Sequence, residues 1–248
     1  MFFNRAPRRK ANTCSRSIVS AFLVISLIAT IACAGGLSPS GGWAAPVVTD
    51  DGIIIGDKDG DLVRVNPDTN SVTTLYPGAN LELGKIYGTP LIIGDTVFLA
   101  SYDCRGNECE ANVSSIDLTT RQPLWDRSKQ YTPPGQDDTE RVDSVPEFNI
   151  ETEIVGRTVL VGDTLIFGTS EIGGEKDPGG YLFALNSNPA LQDFSRVKWA
   201  FPTGDAVFST PVVVDDVAYI TSLDRHVYAI DLADGITNVG DRLLWSFT

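Results

Sequence analysis

The chain has 248 residues, 42% of them hydrophobic, with one His, one Met, four Cys and a formal net charge of −13. That apolar share supports a folded core and excludes an intrinsically disordered chain, and a single His excludes a metal centre built on several imidazoles. Arg5, Arg8, Arg9, Lys10 and Arg16 are the only charged residues before Asp50, so the remainder holds 14 basic against 32 acidic residues, a balance of −18. A field of that sign repels polyanions and excludes a nucleic-acid partner.

Residues 1–34 read as a signal peptide or membrane anchor. The basic cluster RAPRRK (5–10) precedes the uncharged run IVSAFLVISLIATIACA (18–34). A basic region, an apolar stretch and small residues at its end describe an export signal. Thr30-Ile31-Ala32-Cys33 resembles a bacterial lipoprotein box, with Thr30 where Leu is usual, and it makes Cys33 the lipidation candidate. Ala32-Cys33-Ala34 also fits an ordinary signal-peptidase site, and the run is close to the length of a membrane span. The expected location is the bacterial cell envelope, membrane-attached on its periplasmic or outer-surface side, or the secreted fraction. GGLSPSGG (35–42) then has the composition of a flexible tether.

From Ala45 the chain reads APVVTDDGIIIGDKDGDLVRVNPDTNSVTTLY. Short apolar segments with period two, separated by Asp-Asp-Gly and Asp-Gly turns, predict four strands. Asp57, Asp59 and Asp61 place carboxylates at alternate positions and are weak metal candidates. An EF-type calcium loop wants Gly at its sixth position and Glu at its twelfth, where Leu62 and Asp68 stand. Asp59-Gly60 is better explained as a turn before the third strand.

The same cadence restarts at Gly88 and ends on Trp125. Cys104 and Cys109 bracket its second turn. In an exported chain a local disulfide is favoured over a pair of metal ligands, which would lack a nearby His or third Cys. Asn112-Val113-Ser114 matches a glycosylation acceptor. Residues 127–150 form a polar, Pro-containing insertion with no obvious element. A third copy runs from Gly156 to Trp199 and holds the extra segment GGEKDPGG; a fourth runs from Ser209 to Trp245. In the fourth, Asp215, Asp216, Asp224, Asp231 and Asp234 fit backbone-bonding turn residues better than an acidic rim for a basic or metal-bearing partner. His226, beside Arg225, is expected at a solvent-facing strand end.

Four antiparallel strands per repeat of about 40 residues is the blade of a β-propeller, an all-β fold in which neighbouring blades bury one another. The blades span about 43–77, 86–126, 156–201 and 207–248. Tyr76, Trp125, Trp199 and Trp245 close the four copies and are expected to pack between blades. The copies are whole and in phase, so an incomplete or open arc is expected over a closed four-bladed ring or a dimer.

The fourth copy, S-T-P-V-V, Y-I-T-S-L-D, V-Y-A-I-D-L-A-D-G and then Trp245, resembles the pyrroloquinoline-quinone-like (PQQ-like) repeat, and the resemblance covers residues 43–248. It implies one of two functions. Some members are periplasmic dehydrogenases that use PQQ and Ca²⁺. Others bind no quinone and act as platforms, among them the lipoprotein of the outer-membrane assembly machine. The dehydrogenases need a catalytic Asp, and their alcohol-oxidising members carry adjacent cysteines, whereas Cys104 and Cys109 are separated by four residues. No active-site residue carries across. The expectation is a non-catalytic protein- or ligand-binding platform without a cofactor. The alternative is the N-terminal part of a PQQ-dependent dehydrogenase.

Overall fold

A computed structural model describes residues 44–56, 60–76, 84–105, 108–125, 130–131, 148–174, 178–189, 191 and 196–248. Cys33, Asp57, Asp59 and most of the insertion lie outside them. Gly41–Thr248 forms one compact unit.

Each sequence copy builds one antiparallel sheet with its strands in chain order. The first holds β1 (Val47–Thr49), β2 (Gly52–Gly56), β3 (Leu62–Asn66) and β4 (Ser71–Tyr76). The second holds β5 (Leu91–Ile93), β6 (Thr96–Arg105), β7 (Glu108–Asp117) and β8 (Gln122–Pro123). It is widened by β9 (Gln130–Tyr131) and β10 (Phe148–Ile150). The third holds β11 (Val159–Val161), β12 (Thr164–Thr169), β13 (Gly180–Asn186) and β14 (Val197–Thr203). The fourth holds β15 (Val212–Val214), β16 (Val217–Thr221), β17 (Val227–Asp231) and β18 (Leu243–Phe247), with one 3₁₀ turn at Val239–Arg242.

Turn residues set the strand lengths. Asp215 and Asp216 both take positive φ, 49° and 59°, so the two-residue β15–β16 turn has the twist that suits a tight hairpin. Every third strand ends on an Asn or Asp that folds the chain back. Asn66 Oδ1 accepts from the amides of Asp68 and Thr69, Asp117 Oδ1 from Thr119 and Thr120, Asn186 Oδ1 from Asn188, and Asp231 Oδ1 from Ala233. These side chains satisfy amides that leave the ladder. Asp117 is accordingly held below the usual carboxylate range, chiefly by the Thr120 amide.

The insertion does contain structure. β8 pairs only with Ile116 and Asp117, while β10 pairs with Ala111, Asn112 and Val113 farther along the same edge of β7. The fourth strand of the second blade is therefore split, and the inserted residues leave and re-enter it. The unpaired remainder of β7 explains why residues 148–150 return as a strand rather than a loop.

Three apolar clusters join the blades in sequence. Ile54, Leu62, Leu75, Tyr76 and Ile86 meet Val97, Leu99 and Ile116 between the first and second. Phe98, Ala111, Val113, Trp125 and Ile150 meet Leu165, Phe167, Phe183 and Leu185 between the second and third. Ile166, Leu182, Phe201 and Val207 meet Ala218, Ile220 and Ile230 between the third and fourth. Among the described residues, no such cluster joins the fourth blade to the first.

Candidate functional site

Where the chain passes from one blade to the next, it touches the hairpin joining the second and third strands of the following blade. Lys85 N donates to Tyr102 O at 2.8 Å, and Tyr102 N donates back to Lys85 O at 3.0 Å. Ser170 N donates to Glu153 O at 3.1 Å, and Leu223 N donates to Ala206 O at 2.9 Å. Lys85, Glu153 and Ala206 therefore hold equivalent places. The next residues, Ile86, Ile154 and Val207, are buried. Gly168 makes room for the last of these, since a Cβ there would fall 2.3 Å from Val207 O.

At the middle junction these segments enclose a cleft of about 180 Å³, lined by Cys109, Glu151, Thr152, Glu153, Ser170 and Glu171 with two glycines. One wall is pinned by the Cys104–Cys109 disulfide, which links directly paired residues near the tip of the β6–β7 ribbon. Glu153 Oε1 lies 3.3 Å from Cys109 Sγ and 3.8 Å from Cys104 Sγ. The other wall is fixed by Thr152 Oγ1, which donates to Ser170 O at 3.1 Å, and by Glu153 N, which donates to Ser170 Oγ at 3.1 Å. Beside it Tyr102 stacks on Tyr87, ring centroids 4.5 Å apart.

The electrostatics follow from this packing. Burial pushes the Glu153 carboxyl above its ordinary value, and the charge of Glu171 adds to the effect. Burial, then Tyr87 and Glu153, push the Tyr102 hydroxyl up as well. Such a cleft attracts a cation. It is smaller than the roughly 300 Å³ at which ligand pockets begin, so it suits one side chain better than a cofactor. Glu153 and the two sulfurs are close enough to share an ion. The disulfide, however, leaves no thiolate to coordinate one.

A second recurring arrangement ties the blades together. Trp125 is 1% exposed, and the Arg196 guanidinium of the third blade lies 4.1 Å over its ring. Trp125 Nε1 donates to Ser187 O at 3.3 Å, also in the third blade. Arg196 donates to the carbonyls of Asn186, Asn188 and Leu191, closing its own turn. One junction later Arg242 lies 4.4 Å over the Trp199 ring and donates to Asp231 O, Ala233 O and Ile236 O at 3.0 to 3.1 Å. Each Arg stands three residues before its own blade's Trp. The spacing Arg196-x-x-Trp199 and Arg242-x-x-Trp245 was visible in the sequence as a repeated pair and could have revealed the clamp.

Of the aromatics expected between blades, Tyr76 is buried in the first junction and Trp125 and Trp199 meet the following blades, whereas Trp245 is 47% exposed and is the one that needs correction; Tyr76 differs only in register. Trp199 pairs with Ala184 and Trp245 with Ala229, each two residues before the Asn or Asp that ends the third strand. In the first blade that place is Arg64, and its partner is Thr73. Tyr76 pairs with Leu62 instead. The first blade exchanges the sizes, with a large side chain on β3 and a small one on β4. Tyr76 remains buried in the first junction at a different height.

The remaining candidates fall into place individually. Asp224 joins two blades: its carboxylate accepts from Gly204 N at 2.9 Å, His226 N at 2.9 Å and the Tyr228 hydroxyl at 2.5 Å. Desolvation works to raise its pKa, but the hydrogen bonds from Tyr228, the two amides and Ser222 outweigh it and hold the carboxyl below its ordinary value. Burial and Asp224 push the Tyr228 hydroxyl up to about 12. His226 sits at this strand end with Nδ1 3.3 Å from Asp224 Oδ1. Asn112 is 9% exposed within β7, so the folded chain cannot present it for glycosylation.

No family model matches the sequence, and no curated protein matches it. Among solved structures, the chain is similar to BamB from Moraxella catarrhalis, with a TM-score of 0.52 and 15% identity over 84% of this chain and 52% of that one. The chain thus spans about half the length of the structure it matches. At this identity the likeness is one of fold, and with four ordered antiparallel sheets packed in series it makes the chain a β-propeller arc.

Proposed function

We propose that this chain is an exported, membrane-tethered propeller of the PQQ-like type that binds a protein partner without catalysing a reaction. The observation that carries the reading is the cleft at the middle junction: acidic, pinned by a disulfide, and sized for a side chain. Glu151, Glu153 and Glu171 favour a basic side chain, and the net balance of −18 outside the N-terminal cluster favours a basic partner surface. The basic cluster and apolar run before residue 35 support export, with Cys33 as the lipid acceptor. The likeness to BamB supports a propeller used as a scaffold, and no quinone or Ca²⁺ enters the reading.

The test is site-specific photo-crosslinking in the native host, with the reactive residue at position 171 or, as control, at exposed position 71. The expected result is a discrete protein adduct from 171 alone, lost at high salt and lost when Glu151 and Glu153 become Gln. Equal adducts from both positions would overturn the reading, as would oxidation of an alcohol or sugar by the purified chain given PQQ and Ca²⁺. Tethering is read separately: Cys33→Ala should move the chain from the membrane to the soluble fraction.

A further inference from the structure

Cys104 and Cys109 are separated by four residues, a spacing within the range of paired cysteine ligands in structural zinc sites. The sequence places no His or third Cys near them, but the fold brings up a carboxylate from the linker, 44 residues beyond Cys109. Glu153 Oε1 stands 3.3 Å from Cys109 Sγ and 3.8 Å from Cys104 Sγ. A disulfide has no proton to donate, so neither approach is a hydrogen bond. The two distances bracket the separation of about 3.6 Å that a sulfur and an oxygen keep around tetrahedral Zn²⁺. Only the sulfur–sulfur edge must widen, and breaking that bond widens it. Cys104 is exposed while Cys109 and Glu153 are half-buried. An exposed disulfide is open to an attacking thiolate and is among the readily reduced ones. Glu151 and Glu171 line the same cleft and add to its pull on a cation.

We propose that the tip of the β6–β7 ribbon is a redox-gated zinc site, in which reduction of the Cys104–Cys109 disulfide frees two thiolates that bind one Zn²⁺ together with Glu153, water taking the fourth position. The reductant is a dithiol. Its thiolate attacks Cys104 Sγ, the exposed sulfur, the S–S bond breaks, and Cys109 leaves as a thiolate. The second thiol of the reductant then resolves the mixed disulfide, releasing Cys104 and the oxidised reductant. Two electrons pass from the dithiol to the cystine, and its two protons pass to the cysteines. Metal binding displaces both protons to water, because the thiolate is the ligand. Thiolates select a borderline-soft cation over Ca²⁺ or Mg²⁺, which prefer oxygen. The bound ion joins the ribbon of the second blade to the linker that enters the third. The site needs neither a partner protein nor a membrane, so it stands or falls apart from the protein-binding reading.

The experiment reduces the purified full chain with a trialkylphosphine, which takes its oxygen from water and leaves as the oxide. The chain is freed of reductant under nitrogen and titrated with Co²⁺, then with Zn²⁺. The expected result is a thiolate-to-cobalt charge-transfer band that saturates at one ion per chain, accompanied by the visible absorption of tetrahedral cobalt and bleached by Zn²⁺. The oxidised chain should show no band. Glu153→Gln should weaken Co²⁺ binding about tenfold or more, since losing even a partner outside the ligand shell costs that much. Cys104→Ser should abolish the band although Cys14 and Cys33 remain. A reduced chain that keeps its β signal in circular dichroism yet gives no band would overturn the proposal. So would a band retained in Cys104→Ser, an unchanged affinity in Glu153→Gln, or sheets that melt on reduction and do not return with Zn²⁺.

Discussion

The third and fourth blades share a sequence cadence but not an environment. β12 and β13, reading TLIFGT and GYLFALN, are buried along almost their whole length, because cores lie on both faces of their sheet. β16 and β17, reading VAYIT and VYAID, bury two residues each, and all five residues of β18 are exposed. The difference tracks the number of neighbours. A strand between two cores needs apolar side chains on both sides, whereas a strand with one core needs them on one. The third blade shows what a completed position looks like, and the fourth shows the same blade with one face unused.

The sharpest way to break that comparison is to truncate the equivalent indoles. Trp125→Ala should cost about 3–5 kcal/mol, because it empties a buried site in the second junction. Trp245→Ala should cost less than about 1 kcal/mol, because its ring is half in water already. Urea unfolding of both variants measures the gap. Equal losses would mean that Trp245 is covered in solution and that the two faces do not differ.

Removing the guanidinium comes next. Arg242→Ala uncovers Trp199 and leaves the carbonyls of Asp231, Ala233 and Ile236 without their donor. The expected loss is about 2–4 kcal/mol, since three part-buried carbonyls lose a charged donor and the indole loses its cover. Lys in its place should recover only part, because an ammonium has no planar fork to serve three carbonyls and an indole at once. Full recovery by Lys in thermal unfolding would show that charge alone holds the junction.

A smaller effect separates the third junction from the open face by pH. Asp224 binds Gly204 of the preceding blade and has a folded-state pKa below 3.8, the ordinary value. The stability it contributes is present above that ordinary value and is lost as pH falls through the folded one. Asp224→Asn should therefore cost about 1–3 kcal/mol at neutral pH, with the difference closing in acid. A deficit that persists unchanged below that range would show that geometry, rather than charge, joins Gly204 to the fourth blade.

Much of the fold was legible because the repeat carries its own punctuation. The Asp or Asn at the end of every third strand is a turn residue with a local hydrogen-bond role, and period-two segments between such residues are strands. Cys104 and Cys109 could be paired from their separation and an exported context. What escaped depends on register. Tyr76 looked equivalent to the tryptophans because it closes its copy, but it lies three residues past Thr73, the true counterpart. Residues 148–150 carry no strong strand pattern, and they pair because β7 offers a free edge. The acidic cleft draws on Glu151, Glu153, Glu171 and Cys109, which lie in two different blades and the linker between them, so only the folded packing brings them together.

Glu153 gives the smallest effect and the opposite sign. At the same place in the other linkers stand Lys85 and Ala206, neither of which adds negative charge to its junction. Burial and Glu171 raise the Glu153 pKa above its ordinary value, so the folded chain binds the proton more tightly than the unfolded chain does. Stability must then fall as pH rises from the ordinary glutamate value through the raised one, and the penalty is complete above it. Glu153→Gln removes that penalty while keeping the side chain's shape. At neutral pH it should stabilise the chain by a few tenths of a kcal/mol to about 1, because solvent screens a half-buried carboxylate. Below the ordinary glutamate range the two proteins should melt together. Melting curves between about pH 4 and pH 8 decide the matter. A variant less stable than the parent at neutral pH would mean that a cation already occupies the cleft, which would set the middle junction apart from its neighbours as a binding site rather than a seam.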